Sequence, residues 1–225
     1  MRQFPTTLVT LLALCAEPAE AQLICSNVLE FDGLSQFVSV PYDASFPTEV
    51  FTASAWIRAQ IPNKRGAIIS RGEDAITGNS SWTLLVAQSG FFEVMLEDAN
   101  DDNQILSSGT FVADDTWHHV AASRSAAGAM TLYVDGLVAA QFSGTNVPSS
   151  NTQRNLSIGC TYGVIGPPPP PPPPAWFFKG RIDQPAMWDL VLSDDEVRTV
   201  ALRGVDPLSS GLVGYWPLEE GAGQV

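Results

Sequence analysis

The segment WHHVAAS, from Trp117 to Ser123, contains the only two histidines of the chain, His118 and His119. Histidine is a common zinc ligand and a common catalytic base. The segment is typical of a β-strand, in which neighbouring side chains point to opposite faces. The two imidazoles therefore cannot bind one metal ion, and no third histidine can complete a zinc site. A Ser/His/Asp triad needs one histidine, but no nucleophile-elbow motif such as G-x-S-x-G is present. We interpret the pair as scaffold.

The acidic segment EDANDDNQ, at positions 97–104, is a second place where side chains could bind an ion. Asp98, Asp101 and Asp102 stand there among further carboxylate and amide groups, and crowded hard oxygen ligands suit calcium. The spacing is not that of an EF-hand, so a solvated acidic turn is the alternative.

Glycoside hydrolysis requires two carboxyl groups about 5–5.5 Å apart for retention or about 6.5–9.5 Å apart for inversion. The best local candidates are Glu93 and Glu97 in FFEVMLE. On one strand face they stand roughly 13 Å apart, at ~3.3 Å per residue. That distance is too long for either geometry, so we expect the protein not to be an enzyme. A pair of carboxyl groups from two separate strands is the alternative.

Sugar-binding proteins usually have exposed aromatic rings on which the sugar can stack. Trp82 and Trp176 lie near predicted loop ends and are the candidate ligand-binding residues. A place in the core is the alternative for each.

Short strands must position these groups. Segments such as QFVSV, FTASAWIRA, GAIIS, SWTLLVA and FFEVMLE recur at near-regular spacing, bounded by turn residues. This pattern predicts an all-β fold, an antiparallel sandwich or jelly roll. Asp135-Gly136 predicts a two-residue hairpin turn. One short helix is predicted from Ser193, whose capping box with Glu196 opens it, to a stop at Gly204.

Five segments together carry a family resemblance: LEFDGLSQFVSVP, FTASAWIRA, WHHVAASRS, LYVDG and FKGRIDQPAMWDLVLSDDEV. In that order, they resemble the laminin G-like, concanavalin A-like jelly-roll domains of the lectin and pentraxin superfamily, over roughly residues 29–202. The resemblance implies a jelly roll in which the Trp-His-His-Val strand is structural. It also implies a calcium ion at a sandwich edge, for which Asp74 is a further candidate. Cys160 and Thr161 stand where pentraxins have acidic calcium ligands, so a pentraxin-type double-calcium site is not expected.

The N-terminal residues 1–21 have the layout of a secretory signal peptide, with a basic residue, a short apolar run and a small-x-small site. A buried N-terminal helix is the alternative, and the apolar run is too short to span a membrane. The formal charge of −13 argues against nucleic acid as a partner. We therefore predict a secreted chain with a jelly-roll domain at 22–204.

Covalent modification is expected at two kinds of residue. In an oxidising compartment Cys25 and Cys160 are expected to pair, with two separate thiols as the alternative. Asn79 and Asn155 fit the N-glycosylation sequon.

Eight consecutive prolines lie in the segment 166–175. They predict a polyproline II rod inserted as a loop, roughly 25 Å long at ~3.1 Å per residue. A ligand for a proline-recognising partner and a tolerated surface expansion are both open.

The C-terminal segment 205–225 contains GLVGYWPLEEG, a run that opens modules in the resembling family. It either begins a second module, or folds back on its own sandwich, or completes a neighbouring chain by strand addition. The expected function is a non-catalytic recognition or adhesion module that binds a glycan or an extracellular protein, with calcium as a candidate cofactor. A self-assembling structural subunit is the alternative, and a glycoside hydrolase is third.

Overall fold

The computed structural model describes residues 28–62, 64–72, 80–98, 100, 102–148, 155–161 and 175–218, and the structural statements below concern those residues. Several predictions fall outside them: the signal peptide, the proline run before Ala175, Cys25, Asp74, Asn79 and Asp101.

The described chain is built almost entirely from antiparallel strands, with one helix. In chain order the elements are β1 (Leu29–Asp32), β2 (Val38–Val40), β3 (Phe51–Gln60), β4 (Gly66–Gly72), β5 (Ser80–Val86), β6 (Phe91–Glu97), β7 (Asn103–Phe111), β8 (Asp114–Arg124), β9 (Met130–Val134), β10 (Leu137–Phe142), β11 (Leu156–Ile158), β12 (Lys179–Trp188), α1 (Asp194–Arg203) and β13 (Leu212–Tyr215).

The strands form two sheets that pack face to face. One sheet has the order β1-β12-β3-β8-β9-β10, with β13 also paired to β12, and the other has the order β2-β11-β4-β5-β6-β7. Neighbours in each sheet are often far apart in sequence, as expected for a jelly roll rather than a simple meander. The predicted all-β sandwich with one short helix is confirmed.

Strand β3 shows why the sandwich forms. Phe51, Ala53, Ala55 and Ile57 alternate along it, and all are fully buried between the sheets. The other face of β3 is also covered, because Thr52 and Ser54 are buried on the side where α1 packs. The seven-stranded sheet is thus covered on both faces near its centre.

The two sharpest local signals appear as predicted. Asp135 and Gly136 both have positive φ, at 54° and 73°, and Leu137 pairs with Val134 across the turn. Helix α1 begins after Ser193, whose hydroxyl accepts the Glu196 N–H while the Glu196 carboxylate accepts the Ser193 N–H.

Strand β7 was not predicted. It is an edge strand of the six-stranded sheet, and its sequence NQILSSGTF mixes polar residues and glycine among few apolar ones. An edge strand with one partner buries little on either face, so its apolar alternation is weak. Its start at Asn103 means that the acidic segment is the turn between β6 and β7.

The C-terminal strand β13 is paired within its own chain. Ala186 faces Tyr215 and Trp188 faces Leu212, whereas the other half of β12 pairs with β1. Within residues 205–218 the structure has the fold-back onto its own sandwich, one of the three predicted alternatives, and the start of a second module stays a prediction. Self-assembly by strand addition stays a prediction, and it would require β13 to leave β12.

Candidate functional site

The two adjacent histidines lie in different environments, on opposite faces of β8. His118 is 16% exposed and sits between two carboxylates: its Nδ1 lies 2.9 Å from Asp135 Oδ2, and its Nε2 lies 3.2 Å from Asp114 Oδ1. The hydrogen bond to Asp135 is the main reason that the pKa of His118 is raised. Asp135 also accepts the backbone N–H of His119, so this carboxylate fastens β8 to the β9–β10 turn.

We expect His118→Gln to lower the free energy of unfolding more at pH 6 than at pH 9, by about 0.5–1 kcal/mol, the usual size for a partly exposed ion pair. A raised pKa in the folded state means that this contribution is complete below the unfolded value and is lost as the pH rises through the folded value. Urea unfolding of both chains at the two pH values measures the difference. Asp115→Asn, which instead removes an exposed pair with Arg58, is the control without this pH dependence. An equal loss at both pH values would contradict the prediction.

Trp82 belongs to the core and not to a binding surface. Its ring is fully buried and stacks on Phe51, with centroids 4.5 Å apart and an interplanar angle of 16°. Its Nε1–H donates to the carbonyl of Pro47 at 3.2 Å. The ring is therefore not available to a sugar, and the core alternative left open for Trp82 is the one found.

The acidic turn uses Asp98, one of its calcium candidates, to bind its own backbone. Asp98 Oδ1 accepts the N–H groups of Asn100 at 2.8 Å and Asp102 at 3.1 Å, and the first of these bonds is the main cause of the lowered pKa of Asp98. Among the described residues, no group of three or more His, Cys, Asp or Glu side chains is placed to hold a metal ion. Since Asp74 and Asp101 lie outside those residues, calcium stays a prediction.

The structure describes two of the candidates for covalent modification, Cys160 and Asn155. Cys160 is fully buried, and burial raises the pKa of its thiol to about 12. Asn155 Nδ2, the atom that would carry an N-glycan, donates to Ser39 Oγ at 3.0 Å. The pairing with Cys25 and the two glycosylation sites stay predictions.

A cleft of about 470 Å³ opens on the outer face of the six-stranded sheet, beside the ends of β4, β5 and β6. Its volume lies in the range of small-molecule sites. Trp176 is half-buried there beside Ala87, and the other side chains that line the cleft can donate or accept hydrogen bonds: Lys64, Arg65, Gln88, Ser89 and Glu93.

Backbone hydrogen bonds fix the position of Trp176. Its carbonyl accepts the N–H of Ala67 at 2.8 Å, and Ala175 exchanges two hydrogen bonds with Thr161 just before it. Trp176 itself has a φ of 50°, in the left-handed region that residues with a Cβ adopt at some energetic cost. The backbone that carries Trp176 is therefore hydrogen-bonded directly to β4.

The Trp176 ring contacts both apolar and cationic neighbours. It packs against the small outer-face cluster of Leu85, Ala87 and Met95. The guanidinium carbon of Arg65 lies 5.2 Å from the ring centroid, within the range of a cation–π interaction. The ring thus supports the arginine at the wall of the cleft.

Glu93 is the carboxylate of this cleft. Its pKa is raised, chiefly by burial, while the nearby Arg65 acts in the opposite direction. Glu97 shares the same face of β6, as predicted, but does not line the cleft. A second carboxylate for glycoside hydrolysis is not found among the cleft residues that the structure describes.

Of the residues singled out from the sequence for ligand binding, only Trp176 lies in the cleft. Arg65, Lys64 and Gln88 were missed, because the cleft joins three segments distant in sequence. No local motif marks such a site, although the positions of Lys64 and Arg65 directly before a buried strand are typical of a loop at a sheet end.

Comparisons with known proteins agree with this architecture. A family model described as the concanavalin A-like lectin/glucanases superfamily matches residues 32–198, most of the chain. The "Sushi, von Willebrand factor type A, EGF and pentraxin domain-containing protein 1" of Rattus norvegicus is 27% identical over 192 residues, which cover 84% of this chain and 5% of the rat protein.

Two solved structures show the same fold at low identity. A protein of Bacteroides ovatus with a provisional carbohydrate-binding assignment has a TM-score of 0.65 and 20% identity, covering 89% of this chain and 52% of that one. The CBM40 of Ruminococcus gnavus IT-sialidase, bound to α2,3-sialyllactose, has a TM-score of 0.58 and 19% identity, covering 77% and 97%. The chain thus spans 5% of the rat relative and about half of the Bacteroides structure. Because the family model matches most of its length, the chain belongs to the concanavalin A-like lectin/glucanases superfamily and contains a laminin G-like jelly-roll domain.

Proposed function

We propose that this domain is a non-catalytic glycan-binding module and that the cleft beside Trp176 is its binding site. The observation that carries the proposal is the half-buried indole, which packs against Leu85, Ala87 and Met95 in an open cleft that is also lined by hydrogen-bonding side chains. Sugar rings present apolar C–H surface and hydroxyl groups, and this combination of an aromatic ring with donors and acceptors matches both.

Two further points support the proposal. The R. gnavus relative, which shares the fold, is bound to sialyllactose, and this analogy raises the expectation without locating the site. The cleft contains one carboxylate among its described residues, whereas hydrolysis of a glycosidic bond ordinarily needs two. The described residues of the cleft therefore include groups that can hold a sugar, whereas its single carboxylate is not the pair that cleavage requires.

The proposal also places the protein outside the cell. The secretory-signal layout of residues 1–21 supports this location. Within the described ranges, no helix has the length and apolarity that a membrane span requires. An extracellular glycan, or an extracellular protein that carries one, is then the partner.

Trp176→Ala is expected to weaken glycan binding at least about tenfold, a loss of ~1.4 kcal/mol, because it removes the aromatic wall of the cleft and the support of Arg65. A glycan array identifies the ligand, and titration calorimetry measures both chains. Trp117→Ala is the matched control, since Trp117 is also a half-buried tryptophan but lies in β8 of the other sheet. Equal affinity for Trp176→Ala and the unmodified chain would place the site elsewhere.

Two further experiments test the calcium and hydrolysis predictions. The glycan array, run with calcium and with a chelator, tests the calcium role of Asp74, Asp98, Asp101 and Asp102. Incubation of the protein with a panel of polysaccharides tests hydrolysis. An array without any bound glycan would contradict the proposed function.

A further inference from the structure

The charge of the cleft is opposite to that of the whole chain. The chain has a formal charge of −13, yet two cationic side chains, Lys64 and Arg65, line the cleft beside one carboxylate, Glu93. A locally positive cleft on an acidic protein concentrates anions at that place and repels them elsewhere. The local charge therefore favours a ligand that carries negative charge.

Arg65 has unused hydrogen-bonding capacity. Three other arginines of the described chain have defined partners: Arg58 pairs with Asp115, Arg181 with Glu30, and the buried Arg124 donates to backbone carbonyls. What distinguishes Arg65 from the exposed Arg198 on α1 is its place at the wall of a cleft. Within the described ranges, Arg65 makes no hydrogen bond or ion pair; its guanidinium lies over the Trp176 ring and in the field of Glu93.

The position of Arg65 is suited to binding an anion. A guanidinium has five N–H donors in a planar fork that matches the two oxygens of a carboxylate or a sulfate. The cation–π contact with the indole favours one position of the side chain before a ligand arrives, so less conformational entropy is lost on binding. The ring surface near Arg65 is correspondingly less open to a neutral sugar than a bare indole face.

We propose that this cleft selects acidic glycans, with the carboxylate or sulfate group of the sugar paired to Arg65 and Lys64 adding to the attraction. This inference rests on the proposed glycan-binding function and names the ligand class of the same site. Glu93 lies in the field of Arg65 and competes with the ligand for it. Because Glu93 is negatively charged, the cleft attracts anions less strongly than it would with Lys64 and Arg65 alone.

Two charge-removing variants are expected to act in opposite directions. Arg65→Gln should weaken binding of acidic glycans about tenfold or more, the size of a lost charge-assisted hydrogen bond. Glu93→Gln should strengthen it, because the competing carboxylate is gone. Arg198→Gln is the control, since Arg198 is an exposed arginine on α1, outside the cleft.

The experiment begins with an array that contains carboxylated, sulfated and neutral glycans. It continues with calorimetric titrations of 3′-sialyllactose, lactose 3′-sulfate and lactose, with circular dichroism as the check that each variant is folded. We expect the array signals to come from acidic members, with Arg65→Gln reducing and Glu93→Gln increasing them. The sialyl and sulfate probes then distinguish a carboxylate ligand from a sulfate ligand.

The alternative outcomes separate the two proposals. Binding of neutral glycans alone, unchanged in Arg65→Gln, would overturn the acidic selectivity and leave the proposed function standing. Binding of acidic glycans that Arg65→Gln leaves unchanged would also overturn the role of Arg65. Binding of no glycan at all would overturn the proposed function itself.

Discussion

Trp82→Ala is expected to lower the free energy of unfolding by about 3–5 kcal/mol, the usual cost of removing a large buried aromatic side chain. The ring is fully buried, so its removal leaves a cavity between the sheets and takes away the stacked partner of Phe51. It also leaves the Pro47 carbonyl without its Nε1–H donor. Since domains of this size are stable by only about 5–15 kcal/mol, this single change removes a large fraction of the stability.

Urea unfolding followed by circular dichroism measures the effect, with the slope of the transition as the test for two-state behaviour. Trp82→Phe is the matched control: it keeps most of the ring volume and loses the hydrogen bond, so we expect a cost of about 1–2 kcal/mol. Trp176→Ala, at the half-buried tryptophan, should cost less stability than Trp82→Ala. An unfolding midpoint for Trp82→Ala equal to that of the unmodified chain would contradict the assignment of this residue to the core.

The contrast between these two tryptophans shows what the sequence could determine. Local sequence identified both as ligand-binding candidates near loop ends, but it could not determine which of the two the core buries. The burial of Trp82 depends on its packing against Phe51, which is 31 residues earlier in the chain and in the opposite sheet. The position of Trp176 depends on backbone hydrogen bonds to Ala67 in β4 and, through Ala175, to Thr161 after β11. No short sequence pattern encodes these contacts.

Features that depend on local chemistry were predictable. The capping box of Ser193 and Glu196 and the Asp135-Gly136 turn each follow from residues a few positions apart, and both are found in the structure. The alternation of Phe51, Ala53, Ala55 and Ile57 is also visible in the sequence, and this face of β3 is buried between the sheets. Arg65 had no such signal, because its significance comes from a ring that lies more than a hundred residues later.

His119 is the residue with the second large expected effect, which is on the pH dependence of the free energy of unfolding. Its side chain is 1% exposed, and neither ring nitrogen has a hydrogen-bond partner among the described residues. It lies beneath α1, packed with Ser54, Trp188 and Val197, and the space between them leaves no room for a water molecule. Burial therefore lowers the pKa of His119 to about 4, although Asp135 acts in the opposite direction.

This depressed pKa predicts that stability falls as the pH is lowered from about 6.5 to 4. Between those values the unfolded chain binds a proton at His119 and the folded chain does not, so the free energy of unfolding rises with pH. A shift of this size corresponds to about 3 kcal/mol across the window. His118 has the opposite slope above pH 6.5, because its folded-state pKa is raised. The two adjacent histidines together favour greatest stability near the pKa of a free imidazole.

His119→Leu is expected to remove most of the loss between pH 6.5 and 4 and to stabilise the protein at pH 5, by about 1–3 kcal/mol. Leucine fills a similar space beneath α1 and replaces two buried nitrogens that have no partner among the described residues. Urea midpoints at half-unit pH steps from 4 to 7.5 measure the profile, with His118→Gln as the neighbouring control that should keep the acid slope. If His119→Leu kept the slope of the unmodified chain, the acid sensitivity would have to come from other groups, and the neutral buried imidazole would not be its source.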